Sequence, residues 1–120
     1  MKKLCVFPGD GIGPEVVAEG LLVLETIEEV AGKQMFETET ELLGGSSYDV
    51  HGVPMTDKAM ALAEASDAVI LGAVGGPKWD ALPFAVRPER ALLALRKNLG
   101  LFANIRPAMV YPALLDGRIP

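Results

Sequence analysis

Residues Lys2–Phe7 hold Leu4, Cys5, Val6 and Phe7 in one unbroken apolar run, the pattern of a short buried strand. The run stops at Pro8-Gly9-Asp10-Gly11-Ile12-Gly13, whose glycines permit backbone angles that other residues resist. Pro14 and Glu15 then suit a helical first turn, proline by its fixed φ and glutamate by the helix dipole. Val16, Gly20, Val23, Leu24, Ile27, Val30 and Ala31 recur at spacings of three and four, which predicts one inward helical face with Gly32 as the stop. Gln34–Leu43 alternates crudely, Met35 apart from Phe36, Thr38, Thr40 and Leu42, as in a strand near a sheet edge. Gly44-Gly45 breaks it, and Ser46–Pro54 has room for a short helix. Thr56 or Asp57 can cap a helix through Ala65 with Ala59, Met60, Leu62 and Ala63 as its apolar face. Ala68–Leu71 is a further short strand, running into Gly72-Ala73-Val74-Gly75-Gly76-Pro77. This alternation predicts an α/β fold with a parallel sheet flanked by helices. After a long loop, Gly75–Arg87, Pro88 opens a third helix that ends at Gly100. Leu101–Val110 reads as another strand, and Tyr111–Pro120 carries no convincing element, as at a cut rather than a natural end.

Half of the 120 residues are hydrophobic and 22% are charged, enough for a packed core. The net charge of −5, from 11 basic and 16 acidic residues, argues against a nucleic-acid partner, because phosphate contacts need clustered Lys and Arg. No apolar run approaches the ~20 residues of a membrane span. The four apolar residues after Met1-Lys2-Lys3 are too short for a secretory signal, which points to the cytoplasm. A lone Cys5 forms no internal disulfide and, within an apolar strand, is expected to be buried rather than reactive.

The first glycine loop lacks the third glycine of the dinucleotide fingerprint; Pro14 stands there, so an ordinary Rossmann reading competes with a plain tight turn. The second, Gly75-Gly76-Pro77-Lys78-Trp79-Asp80, also leaves the carboxyl end of a strand and is expected beside the first. Its glycines let backbone N–H groups approach a ligand, while Trp79 offers a flat surface and Lys78 and Asp80 one charge of each sign. The competing reading is a surface loop pinned by a half-buried tryptophan. In the third helix Glu89, Leu92, Leu93 and Arg96 share one stripe. Arg96 has the fork to hold a carboxylate, and the leucines can receive an aliphatic group. Equally, the leucines can be core with Glu89 and Arg96 bracketing them. Arg106, before Pro107, is either a second anion ligand or an ordinary exposed arginine. His51 reads as a surface histidine, and Asp49, Asp57, Asp67 and Asp80 as caps or turns. Binding groups are present; a general base is not.

Four stretches carry a resemblance: Phe7–Glu15, Leu71–Asp80, Arg87–Lys97 and Leu101–Ala108. In that order they resemble the isocitrate/isopropylmalate dehydrogenase family, the β-decarboxylating dehydrogenases, over nearly the whole chain. The Pro-Lys-Trp-Asp loop and the Leu92-Leu93 pair are similar to the isopropylmalate branch. The resemblance implies a family fold distinct from the standard Rossmann fold, with residues 1–100 opening the NAD-binding domain and 101–120 entering a second, dimerisation and substrate domain. It implies NAD-dependent oxidation and decarboxylation of 3-isopropylmalate to 2-oxoisocaproate in leucine biosynthesis, a Mg or Mn ion, and a cytoplasmic homodimer. Carried over by motif, Ile12, Gly76, Pro77, Lys78, Trp79, Asp80 and Glu89 would line the cofactor site. Arg96 and Arg106 would hold the malate carboxylates, and Leu92 with Leu93 would meet the isopropyl group. Arg90-Ala91 departs from the small or polar pair usual there. The family's metal-binding aspartates and catalytic lysine and tyrosine lie in segments absent here, so the chain is expected to be an amino-terminal portion, inactive alone. A relative acting on isocitrate or tartrate, and a stand-alone α/β binding module, are the rival readings.

Overall fold

Strand β1, Lys2–Gly9, has Leu4–Phe7 buried on both faces, which makes it the centre of a sheet. The computed structural model describes residues 1–112 and places β1 between β2 (Phe36–Thr40) and β3 (Ala68–Ala73), all parallel, in the order β2-β1-β3. Helix α1 (Gly13–Ala31) connects the first two strands, and α2 (Gly45–His51) and α3 (Asp57–Glu64) connect the second to the third. Two short 3-10 turns at Pro77–Trp79 and Phe84–Val86 interrupt the long loop before α4 (Glu89–Asn98). The fold is the predicted α/β arrangement. The left-handed Gly32 closes α1, and the Thr56 hydroxyl accepts the Ala59 N–H at 3.1 Å to cap α3.

Alternation along β1 assigns its two faces. Cys5 and Phe7 join Leu43, Ala59, Ala63, Ala91 and Leu95 in a core under α3 and α4. Leu4 and Val6 point the other way, toward α1 with its buried Val17. Burial raises the Cys5 thiol to about 11, helped by the charges of Glu39 and Glu41. The folded state therefore favours the neutral thiol, and that contribution to stability holds below pH 9 and is lost as pH rises through about 11. Alkylation of Cys5 at pH 8 is expected to be at least ~100-fold slower in the native chain than in urea, from thiolate fraction alone. Equal rates would show that the strand does not bury its thiol.

Two expectations fail. The inward face of α1 is Gly13, Val17, Leu21, Leu24 and Glu28; of the expected stripe only Leu24 lies on it, while Val16, Val23, Ile27 and Val30 are exposed. The helix is turned by ~100°, one residue's worth. The cause is Gly13: a Cβ there would lie 2.1 Å from the Pro8 carbonyl oxygen and 2.8 Å from the Ala73 nitrogen, so this residue must face the strands. The Glu28 carboxylate then accepts the Met35 and Phe36 N–H groups, each at 2.7 Å, and ties the helix to the start of β2. Second, Leu101–Val110 forms no strand. Its residues through 112 are exposed and unpaired, Phe102 at 99% and Ile105 at 84%, because an alternating pattern becomes a strand only beside a partner. Residues 113–120, within the stretch read as lacking any element, lie outside the described residues.

Candidate functional site

Strand order 2-1-3 places the carboxyl ends of β1 and β3 side by side, the usual ligand position in such sheets. The two glycine loops meet there. Gly9 stands beside Ala73, with a left-handed φ of 75° and no room for a side chain, and the Asp10 N–H donates to the Ala73 carbonyl at 2.7 Å.

Asp10 is the organising group of this junction. Only 3% exposed, its carboxylate accepts N–H groups from Gly45 (2.7 Å) and Gly75 (2.8 Å) on Oδ2 and from Ser46 (2.7 Å) on Oδ1. The protein's own anion thus fills the nest of amides that glycine-rich loops otherwise offer to a ligand. That corrects the expectation for Gly75, whose N–H faces inward to Asp10. Gly76, at the start of the first 3-10 turn, has a φ of 154°, a backbone angle that favours glycine.

Lys78 and Trp79 turn toward α2. The Lys78 ammonium donates to Asp49 Oδ2 at 2.6 Å, and the Trp79 indole N–H donates to Asp49 Oδ1 at 3.1 Å. These bonds, led by the one from Lys78, hold the Asp49 carboxyl below its ordinary range. Trp79 is half-buried against Gly45, where a Cβ would come within 2.3 Å of the ring. Asp49 therefore joins α2 to the second glycine loop rather than serving as a local cap. Asp67 likewise accepts from Lys2 and from the Lys3 N–H, joining the starts of β3 and β1. Pro77 and Asp80 remain exposed, as does Ile12, at the N-cap of α1. His51 is exposed, as expected.

Pro88, Ala91 and Leu95 anchor α4 in the core, which decides which leucines are structural. Leu92 is half-buried and Leu93 49% exposed, so the stripe of Glu89, Leu92, Leu93 and Arg96 lies off the core face. Replacing Leu95 with alanine is expected to cost about 2–3 kcal/mol in urea denaturation, whereas Leu93→Ala should cost below about 1 kcal/mol. Similar losses for both would return the stripe to the core. The stripe's ends face different neighbours. A Cβ on Gly75 would lie 2.4 Å from Glu89 Oε1, so Glu89 sits at the second glycine loop. Arg96 lines a cavity of about 390 Å³ with Leu101–Ile105. No ion pair among the described residues occupies it. Arg106 is exposed on the extended segment, one residue past that lining, and is not brought into the cavity. Arg90 stacks its guanidinium over the Phe84 ring, 5.0 Å from the centroid, which ties α4 to the loop before it.

Among the described residues no group of three His, Cys, Asp or Glu side chains is arranged to hold a metal ion. No described helix is long and apolar enough to cross a membrane.

A family model for isocitrate/isopropylmalate dehydrogenase matches residues 3–120. The chain belongs to that family. Within the isocitrate/isopropylmalate dehydrogenase family, it is 59% identical over 114 residues to 3-isopropylmalate dehydrogenase 2 of Bradyrhizobium diazoefficiens, covering 95% of this chain and 30% of that one. It is 56% identical to 3-isopropylmalate dehydrogenase of Rhodospirillum rubrum, covering 96% and 31%. The chain thus spans under a third of the length of these relatives. Its fold matches the crystal structure of a β-decarboxylating dehydrogenase from Thermococcus kodakarensis with a TM-score of 0.69 and 33% identity, over 85% of this chain and 28% of that one.

Asp10 and Asp49 are the groups that sequence reasoning passed over. Asp10 had one signal: an acid set between glycines at a strand end, where a buried charge must find donors. Asp49 had none, because its partners lie 29 and 30 residues away.

Proposed function

We propose that this chain supplies the cofactor-side α/β unit of an NAD-dependent 3-isopropylmalate dehydrogenase of leucine biosynthesis. The carrying observation is the off-core stripe on α4, with Glu89 at the Gly75 loop and Arg96 in an open cavity. In this reading Arg96 forks one malate carboxylate, Leu92 and Leu93 receive the isopropyl group, and Arg106 joins through movement of its extended segment. Ile12, Gly76, Pro77, Asp80 and Glu89 border the nicotinamide, with Lys78 and Trp79 acting from behind the loop. Glu89, beside Gly75, adds a negative charge suited to the cationic form of the nicotinamide ring. NAD held there would supply the hydride acceptor for oxidation of the 2-hydroxyl, the chemistry by which 3-isopropylmalate would become 2-oxoisocaproate with loss of carbon dioxide. The described residues offer no ligand set for Mg or Mn, so no step through the ion is assigned to them.

Residues 1–100 fall in the NAD-binding domain and 101–120 lead into the second domain of a cytoplasmic homodimer. The net charge of −5 supports a small-molecule partner rather than a nucleic acid. The intact protein, assayed with NAD and a divalent ion, is expected to favour 3-isopropylmalate over isocitrate by roughly 100-fold or more in kcat/KM, since Leu92 and Leu93 in the assigned role would leave isocitrate's extra carboxylate unpaired. Preference for isocitrate or tartrate would move the chain to another branch. The 120-residue chain alone is expected to show no turnover; tight 3-isopropylmalate binding by it would favour a stand-alone binding module.

A further inference from the structure

Asp49 lies outside every role the proposed reaction assigns, yet both of its oxygens are engaged by the loop that would border the cofactor. We infer that Asp49 is a positioning residue: by holding Lys78 and Trp79 against α2, it sets the backbone that Gly76 and Pro77 present to the nicotinamide. The inference rests on the NAD-dependent reading above and deepens it.

The geometry is a splint with two attachments. Gly75, where the loop begins, is fixed through its N–H to Asp10, which also holds the Gly45 and Ser46 N–H groups at the start of α2. Lys78 and Trp79, where the 3-10 turn ends, are fixed to Asp49 in the same seven-residue helix. The indole lies in the space that a side chain at position 45 would occupy. Gly76 and Pro77 are suspended between these attachments. Without the second one, Gly75 and Gly76 have the conformational freedom to let the loop drift. The indole bond and the Lys78 pair use different carboxylate oxygens, so the tryptophan can be held by an amide oxygen while the charge is removed. Lys78 and Asp49 are both solvent-accessible, so the device orders a loop rather than supporting the fold.

Trp79 is the only tryptophan of the chain, which makes it a direct reporter. Asp49→Ala and Asp49→Asn are to be compared with wild type in two measurements. Emission and acrylamide quenching of Trp79 are read in the 120-residue chain, with circular dichroism as the folding control. KM for NAD, KM for 3-isopropylmalate and kcat are read in the intact protein. Asp49→Ala is expected to red-shift and expose Trp79 and to raise KM for NAD roughly threefold to tenfold, with kcat changing less than about twofold, as for binding lost equally from ground and transition states. Asp49→Asn is expected to restore most of both, because its amide oxygen still accepts from the indole. Unchanged emission and quenching in Asp49→Ala overturns the inference; so does a shifted emission with an unchanged KM for NAD. A wild-type protein that shows no turnover with NAD defeats the parent reading and this inference with it, whatever Trp79 reports.

Discussion

Replacing Asp10 with alanine is expected to lower the unfolding free energy by on the order of 3–5 kcal/mol, a large share of the ~5–15 kcal/mol that holds a typical domain together. The carboxylate satisfies three amides from two other loops while itself only 3% exposed. Alanine leaves those donors without a partner, and a buried unsatisfied group costs about 1–3 kcal/mol. The Gly45 amide is fully enclosed and bears the largest loss; those of Ser46 and Gly75 are partly buried and recover some hydration. Asparagine is a discriminating second variant. With its oxygen at the Oδ2 position it keeps the Gly45 and Gly75 bonds and sets its NH2 against the Ser46 N–H, so about 1–2 kcal/mol is expected. Urea denaturation followed by Trp79 emission checks both, since the indole rests on α2 beside the affected loop. A loss below about 1 kcal/mol for Asp10→Ala would mean that the three loops are held together by something other than this carboxylate.

What the amino-acid order made legible, and what it hid, follow the range of the interactions concerned. Leu4–Phe7 and Ala68–Leu71 announced strands because each is a continuous apolar run, a local property; the first is buried on both faces and the second half-buried at the edge of the described sheet. Helix ends at Gly32 and Thr56 were equally local. The rotation of α1 was not. Two apolar stripes run along it, and the contact of Gly13 with Pro8 and Ala73 selects the one through Val17. Likewise the pattern at Leu101–Val110 suits a strand, but no described strand pairs with it. On α4 the period put Glu89, Leu92, Leu93 and Arg96 on one stripe, but it does not by itself separate core leucines from outward ones; burial of Ala91 and Leu95 does that, and Leu93 and Arg96 line different cavities. Asp10 reaches residues 35, 36 and 65 positions away, so its role belongs to the tertiary structure and has no spacing signature.

Arg96 carries the heaviest functional expectation. In the intact protein, Arg96→Ala is expected to reduce kcat/KM for 3-isopropylmalate by roughly 30-fold to 1000-fold, since leaving one member of a desolvated charge pair unpaired costs about 2–4 kcal/mol. Arg96→Lys is expected to restore only part of this, because an ammonium replaces the two parallel N–H bonds of the guanidinium with a point charge. Stability offers the control. Arg96 is half-buried, makes no ion pair among the described residues and lies beside a cavity rather than in the core, so its removal should move the urea midpoint by no more than about 0.5 kcal/mol. Leu93→Ala adds a second axis: it should weaken 3-isopropylmalate about tenfold while leaving unsubstituted malate nearly unchanged, because only the branched substrate fills the space beside that side chain. Should Arg96→Ala turn over 3-isopropylmalate as well as wild type, the carboxylate must be held elsewhere, and the shared stripe on α4 would be a solvent-facing pattern without a ligand.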